Sequence, residues 1–168
     1  KVARGDKVWA IGWRFDPSAS LLDRHEAPFR ILSGGSSGYL ADPFPFRHRG
    51  RDFIFVEQYL YAKARGCIAV VALDRNGIAG TPRIVLEEPH HLSYPFVFVH
   101  AGQIWMIPES GAARNVVLYR AVEFPHRWTR EACLIEDIEG YDVTPLHHQK
   151  GFWFFVSPRL WKSSSWDI

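Results

Sequence analysis

Three short segments set an acid, a ring or a hydroxyl directly before a proline. Asp42 precedes Pro43, Tyr94 precedes Pro95, and Thr144 precedes Pro145, with Asp142 two residues upstream of Thr144. Proline fixes its own φ and biases the residue before it toward extended backbone, so the Asp42 carboxyl is expected to be pinned. A carboxylate held that way can be a general base, a ligand anchor or a cap on a loop amide. Strand residues two apart share a face, which puts Asp142 and Thr144 on the same side. Ser93, His90, His91, His147 and His148 lie close by in sequence. The paired histidines invite a metal reading, but neighbours on a strand point to opposite faces. No Cys or acid cluster stands at ligand spacing, so neither a metal nor a cofactor is expected.

Other side chains extend the list toward flat, hydroxyl-rich ligands. Aromatic residues make up 15% of the chain, with seven Trp, twelve Phe and six Tyr. Their rings suit pleated sheets and also suit the apolar faces of sugars. Trp13, Tyr94 and Trp105 can form a stacking platform, or can simply pack between sheets. Arg14 can grip a carboxylate or phosphate with two parallel hydrogen bonds, or form a surface salt bridge. Gly34-Gly35-Ser36-Ser37-Gly38 is glycine-rich but lacks the lysine of a phosphate loop, and reads as a link.

The elements that carry these residues repeat. Pro43, Pro95 and Pro145 are spaced 52 and 50 residues apart, and turn glycines follow at Gly50, Gly102 and Gly151. After each glycine comes a β-forming run: Phe53-Ile54-Phe55-Val56-Glu57, Ile104-Trp105-Met106-Ile107-Pro108-Glu109, and Phe152-Trp153-Phe154-Phe155-Val156. A second kind of hairpin lies between them. Cys67–Leu73 returns through Asp74-Arg75-Asn76-Gly77 to Arg83–Leu86, and Val116–Val122 returns at Ala132–Ile135. Four strands in about 50 residues is the period of one β-propeller blade.

The expected fold is therefore all-β, a β-propeller whose chain carries about three blades' worth of four-stranded antiparallel sheet. Residues 7–33 read as a half blade, 39–88 and 90–137 as blades, and 140–160 as a further half blade, in a single partial domain over 1–168. A short tail through Ser163-Ser164-Ser165 reads as loop. The only short helical candidate is Glu57–Ala64, ended by Gly66. Propellers close with four to eight blades, so the rest of the ring is expected from elsewhere, in further blades or another chain.

Composition bounds the partners. Twenty Lys and Arg against eighteen Asp and Glu leave a formal net charge of +2 without a basic run, which argues against nucleic acid. No apolar stretch approaches the roughly 20 residues of a membrane-spanning helix. Cys67 and Cys133 are isolated, which favours free thiols and a cytoplasmic setting over a disulfide.

Asp42-Pro43 opening one blade, an acid in the third, and aromatic four-stranded repeats resemble the five-bladed propellers of arabinanase, xylosidase and invertase-like glycoside hydrolases. Trp9-Ala10-Ile11-Gly12-Trp13-Arg14, Ala41–Phe46, His91–Phe96 and Met106–Ser110 more narrowly resemble the propeller preceding the transferase in plant glucosamine inositolphosphorylceramide transferases. Bacterial relatives of that branch can sit beside formyltransferase-like domains. In the hydrolases, the resemblance implies that Asp42 is the base or nucleophile and Asp142 the acid-tuning aspartate, set two residues ahead of Pro145. The family's catalytic acid is a fourth-blade glutamate, and Glu109, at the end of a second strand, is a weak substitute.

Two readings follow. One is a glycoside-hydrolase-like domain acting through Asp42 and Asp142 on a glycan in the central channel, with Trp13, Arg14, His91, Ser93, Tyr94, Thr144 and His147 binding it. The other is a non-catalytic domain that binds a carbohydrate or glycolipid, or positions a fused transferase or formyltransferase.

Overall fold

The computed structural model describes residues 9–15, 28–74, 76–77 and 79–159. The serines at 163–165, Lys7 and Arg75 lie outside the described residues. The protein is all-β. Its strands are β1 (Ala10–Trp13), β2 (Arg30–Ser33), β3 (Gly38–His48), β4 (Arg51–Leu60), β5 (Arg65–Ala72), β6 (Arg83–Leu86), β7 (Ser93–His100), β8 (Gln103–Glu109), β9 (Asn115–Glu123), β10 (Arg127–Glu136), β11 (Gly140–His148) and β12 (Gly151–Pro158). Two four-stranded antiparallel sheets, β3-β4-β5-β6 and β7-β8-β9-β10, are flanked by the two-stranded sheets β1-β2 and β11-β12. Such sheets in series are consistent with a propeller-like fold. No helix among the described residues is long and apolar enough to cross a membrane.

The helical candidate at Glu57–Ala64 does not form. Glu57 through Leu60 continue β4, and residues 61–64 make the turn into β5. Tyr59 and Leu60 pair across to Gly66 and Arg65, so sheet hydrogen bonds outcompete a helix too short to nucleate.

The opening strands β3, β7 and β11 each carry one bulge. The register slips between Ala41 and Phe44, between Ser93 and Phe96, and between Tyr141 and Thr144. Within the slips, Asp42, Tyr94 and Asp142 adopt left-handed backbone with φ of 49°, 41° and 52°. The bulge therefore corrects the repeat read from prolines: Asp142 and Val143 match Asp42 and Pro43, and Pro145 matches Pro45. Asp142 is thus a full counterpart of Asp42 rather than a displaced one. Asp42 is also left-handed rather than extended. The bulge overrides the bias that proline places on the residue before it.

Hairpin turns keep this register. His48 pairs with Arg51, His100 with Gln103 and His148 with Gly151, so each bulge lies six residues before the last paired residue of its strand. Arg49-Gly50 and Ala101-Gly102 both have positive φ, as a two-residue turn between right-twisted strands requires.

Each four-stranded sheet is buried on both faces, which explains the unbroken apolar run in β4. Phe53 and Phe55 join Ile68 and Val70 against Val97, Ile104, Met106 and Tyr119 of the next sheet. Ile54 and Val56 turn the other way, onto Ile11, Ala69 and Val71. The smaller third cluster, Ile107, Val116 and Val143, joins the second sheet to β11. Cys67 and Cys133 are both free thiols.

Candidate functional site

Four carboxyl groups meet at one end of the sheets, where the apolar layers between sheets give way to solvent. On β4, Phe53, Phe55, Glu57 and Tyr59 share a face, so Glu57 caps the layer below it. Glu57 sits opposite Ala41, and Glu109 occupies the same position on β8, opposite Ser93. The bulges bring Asp42 and Asp142 beside them.

A bulge leaves a backbone N–H without its ladder partner, and here carboxylates from the preceding sheet take that role. The Tyr94 amide donates to Asp42 Oδ2 at 3.0 Å, and the Asp142 amide donates to Glu109 Oε2 at 3.1 Å. Ser93 Oγ donates to the other Glu109 oxygen at 2.9 Å. The Thr144 hydroxyl spends its proton on the Asp142 carbonyl at 3.1 Å. The Tyr94 hydroxyl, 3.1 Å from Thr144 Oγ1, must therefore be the donor in that contact. Three consecutive opening strands are thus tied into one polar network.

Burial and mutual repulsion set the protonation states. Glu57 is 5% exposed, and its carboxyl is pushed up to about 8 by burial first, then by Asp42 and Glu109. Glu109 is raised by burial, against the opposing pull of its Asp142 amide and Ser93 hydrogen bonds. Asp142 is raised by burial and by Asp42. His91 completes the set. Its Nδ1 accepts the Gly66 amide at 2.9 Å, and burial holds its pKa down, so the ring is neutral with its proton on Nε2. That nitrogen faces Glu57 Oε1 at 3.4 Å.

Beside Glu57 stands an aromatic ledge. Tyr39 and Tyr59 pair across β3 and β4 and stack in parallel, with centroids 4.8 Å apart. Tyr61 meets both edge-on, and its ring is partly exposed. Burial and the neighbouring Glu57 push the Tyr39 hydroxyl up to about 12, so it stays a donor.

Of the residues singled out from sequence, Asp42, His91, Ser93, Tyr94, Glu109, Asp142 and Thr144 converge here. Trp13, Arg14 and His147 do not. Trp13 lies against Gly77 in the β5–β6 connection, which the Leu73 amide to Asp52 carbonyl bond places at the opposite end of β4. The Arg14 guanidinium covers the Phe29 ring at 4.8 Å. His147 packs on His100 and Phe152 beside the β11–β12 turn. Trp105 donates to the His100 carbonyl near the β7–β8 turn, away from the carboxyls. Glu57 and the tyrosine ledge were missed. The 52-residue interval from Glu57 to Glu109, equal to that from Pro43 to Pro95, was the available signal. Among the described residues, no group of three or more His, Cys, Asp or Glu is arranged to hold a metal ion.

The family model described as glucosamine inositolphosphorylceramide transferase 1, N-terminal, matches residues 30–165. A glucosamine inositolphosphorylceramide transferase 1 from Arabidopsis thaliana is 36% identical over 126 residues, covering 74% of this chain and 16% of the relative. Proteins of the same name from Oryza sativa subspecies japonica and indica are 36% identical over 125 residues, or 74% of this chain and 17% of each relative. The chain therefore corresponds to about one sixth of the length of these curated relatives. No solved structure matches it. The bulge-bearing hairpins and their carboxyl network thus belong to a chain of the glucosamine inositolphosphorylceramide transferase N-terminal domain family.

Proposed function

We propose that this chain is a glycan-binding module serving a linked glycosyltransferase, and that it holds a sugar or glycolipid headgroup at the N-terminal ends of β3, β7 and β11, where the carboxyl groups gather. In this reading the four sheets are two blades and two half blades of a propeller, five-bladed when complete. The network then lies at the mouth of the central channel. The observation that carries the reading is the convergence of Asp42, Glu57, Glu109 and Asp142 from successive hairpins. Carboxylates and hydroxyls are the groups that read sugar hydroxyls, and the adjoining tyrosine ledge offers a ring face. The family's printed name supports a glycolipid context.

A glycan array followed by calorimetry on the full chain tests this. Saturable binding without hydrolysis is expected, lost in the Asp42→Asn/Asp142→Asn double variant. Equal binding of the whole panel by the parent and the double variant would end the reading.

One observation favours a second reading, glycoside hydrolysis. Glu57 keeps its proton near neutral pH beside the Asp42 carboxyl, the acid and base partnership that bond cleavage uses. Release of reducing sugar from a glycoside panel, abolished by Asp42→Asn, is the required result. Turnover that is absent, or indifferent to that substitution, rejects it.

A further inference from the structure

At the other end of β3 and β4, away from the four carboxyls, a cleft of about 420 Å³ opens between the two four-stranded sheets. That volume lies within the roughly 300–1,000 Å³ of small-molecule sites, and a lone inorganic anion would leave most of it empty. His48, Arg49, Arg51 and Phe53 line it from the first sheet, facing Gln103 and Phe124 of the second. His48 and Arg51 are the last pair across the β3–β4 hairpin, so they share a face with Phe53, two residues on. The two-residue turn holds Arg49 at positive φ and places it at the rim. Deeper in, the surface is apolar. The Phe124 ring lies 5.1 Å from Phe53 and 4.9 Å from His48. Trp128 Nε1 donates to the Pro125 carbonyl at 2.9 Å, which fixes the turn that carries Phe124.

The charge of this cleft is uncompensated. None of its lining residues is acidic. The acids that flank it are engaged elsewhere. Asp52 turns to the opposite face of β4 and accepts two hydrogen bonds from Arg47, at 2.6 and 2.7 Å, and Glu123 pairs with Arg127. Among the described residues neither Arg49 nor Arg51 forms an ion pair.

A second observation is geometric. The Arg51 guanidinium carbon lies over the Phe53 ring, 5.6 Å from its centroid. Phe53 is 5% exposed, so the ring beneath the guanidinium is anchored in the core. Stacking uses the flat face of a guanidinium and leaves its N–H edge free, so the fork is held ready for a planar anion. A carboxylate matches such a fork with two parallel hydrogen bonds. A carboxylate without a ring would leave the Phe124 wall uncovered.

We propose that this cleft binds a small aromatic carboxylate. The carboxylate lies on the Arg51 fork, with Arg49 and the Gln103 amide beside it, and the ring packs against Phe124. Burial of the ring supplies affinity, and the arginines select for an anion. The cleft shares no residue with the carboxyl network, so sugar binding at the far end neither requires it nor follows from it.

A backbone-amide NMR titration of the full chain tests this with 2-naphthoate, its neutral analogue 2-naphthamide, 2-naphthyl phosphate and acetate. Saturable shifts with 2-naphthoate are expected, concentrated at the amides of Gly50, Gly102, Gln103 and Phe124. Its binding should be at least about tenfold tighter than that of 2-naphthamide or acetate, which lack the charge-assisted pair or the ring. Added salt should weaken 2-naphthoate and leave 2-naphthamide unchanged, a readout that needs no variant. Arg51→Gln and Arg51→Lys should each weaken 2-naphthoate by about tenfold, because lysine keeps the charge and loses the fork. Equal binding of 2-naphthamide or acetate overturns the proposal, and tighter binding of 2-naphthyl phosphate overturns it by making this a phosphate site. Shifts centred on Asp42 and Glu57, indifference to Arg51→Gln, or no saturable binding of 2-naphthoate each overturn it as well.

Discussion

Glu57 and Glu109 occupy equivalent places on consecutive second strands, yet only Glu109 accepts from the residue opposite it on the neighbouring strand. Ser93 stands opposite Glu109 and hydrogen-bonds it, whereas Ala41 stands opposite Glu57 and cannot. One missing hydroxyl thus helps to separate a carboxyl that accepts two hydrogen bonds, from Ser93 and from the Asp142 amide, from one whose Oε1 has no hydrogen bond. Ala41→Ser should supply that donor. A net hydrogen bond of about 1 kcal/mol corresponds to a fall of somewhat under one pH unit in the Glu57 titration. Carboxyl-carbon NMR on the two proteins measures it, and an unmoved titration would mean the serine points elsewhere.

Glu57 also makes stability depend on pH. Its folded value, about 8, lies above the ordinary 4.5, so between these limits the unfolded chain has lost a proton that the folded chain keeps. Stability from this group is fully present below pH 4.5 and drains as pH rises toward 8, by up to about 1.4 kcal/mol per pH unit. Asp52, Glu87 and Glu139, held low by Arg47, by Lys63 and Arg65, and by Arg159, act in the opposite sense at lower pH. Glu57→Gln should therefore match the parent near pH 4.5 and exceed it at pH 8. Urea melts across that range give the slope, and parallel slopes in both proteins would contradict the assignment.

The fold was more legible than the site because strands announce themselves locally. The Asn76-Gly77 turn, the turn glycines Gly50, Gly102 and Gly151, the proline positions and runs such as Phe53–Val56 mark most hairpins in the sequence itself. The repeat's register was harder. A bulge is one extra residue with left-handed backbone; Tyr94 is not a residue type that signals it, and Asp142, whose type tolerates it, was overshadowed by the more conspicuous Pro145, which was matched to the wrong proline. Glu57 escaped notice because a lone glutamate at the end of an apolar strand resembles a solubilising edge. Its burial arises only when the next sheet packs over Phe55. His147 shares β11 with Asp142 but lies at its far end, a distinction that needs strand direction as well as membership, and Trp13 and Arg14 lie at and just past the end of β1, which carries none of the four carboxyls.

The bulges store strain where the site is built. Asp142 is exposed and holds φ of 52°, a region open to aspartate at modest cost and to glycine at none. Asp142→Gly relieves the backbone but adds unfolded-chain entropy, so stability should change by less than about 1 kcal/mol. Sugar binding should nonetheless be lost, because the carboxyl is gone. A melt that collapses would instead show that Asp142 is structural.

Gly66 ties His91 to Glu57, and its size is part of the arrangement. A Cβ there would come within 2.5 Å of the Leu92 carbonyl oxygen, 2.7 Å of Glu57 Oε1 and 2.9 Å of His91 Cε1. Backbone cannot yield as a flexible side chain can, so Gly66→Ala should cost about 1–3 kcal/mol. The substitution should also disturb the amide bond that fixes the His91 tautomer. Imidazole nitrogen NMR shifts, read beside the melt, separate that local effect from general loosening.

The hundred-residue match between β4 and β12 allows one sheet to act as the control for another. Phe53 and Phe55 correspond to Trp153 and Phe155, and Phe46 to Leu146. The first set is covered by the following sheet, with Phe55 fully buried, whereas Phe155 is 59% exposed and Trp153 63%. The same side-chain chemistry therefore has different energetic weight at equivalent places. Phe55→Ala should cost about 3–5 kcal/mol through lost transfer energy and the cavity left behind. Phe155→Ala should cost under about 1 kcal/mol in this chain, since most of its ring already meets water. Denaturant midpoints of the two variants decide it. A large loss at Phe155 would mean that this face is covered in solution, and the dependence of that loss on protein concentration would tell a second copy from the chain's own residues.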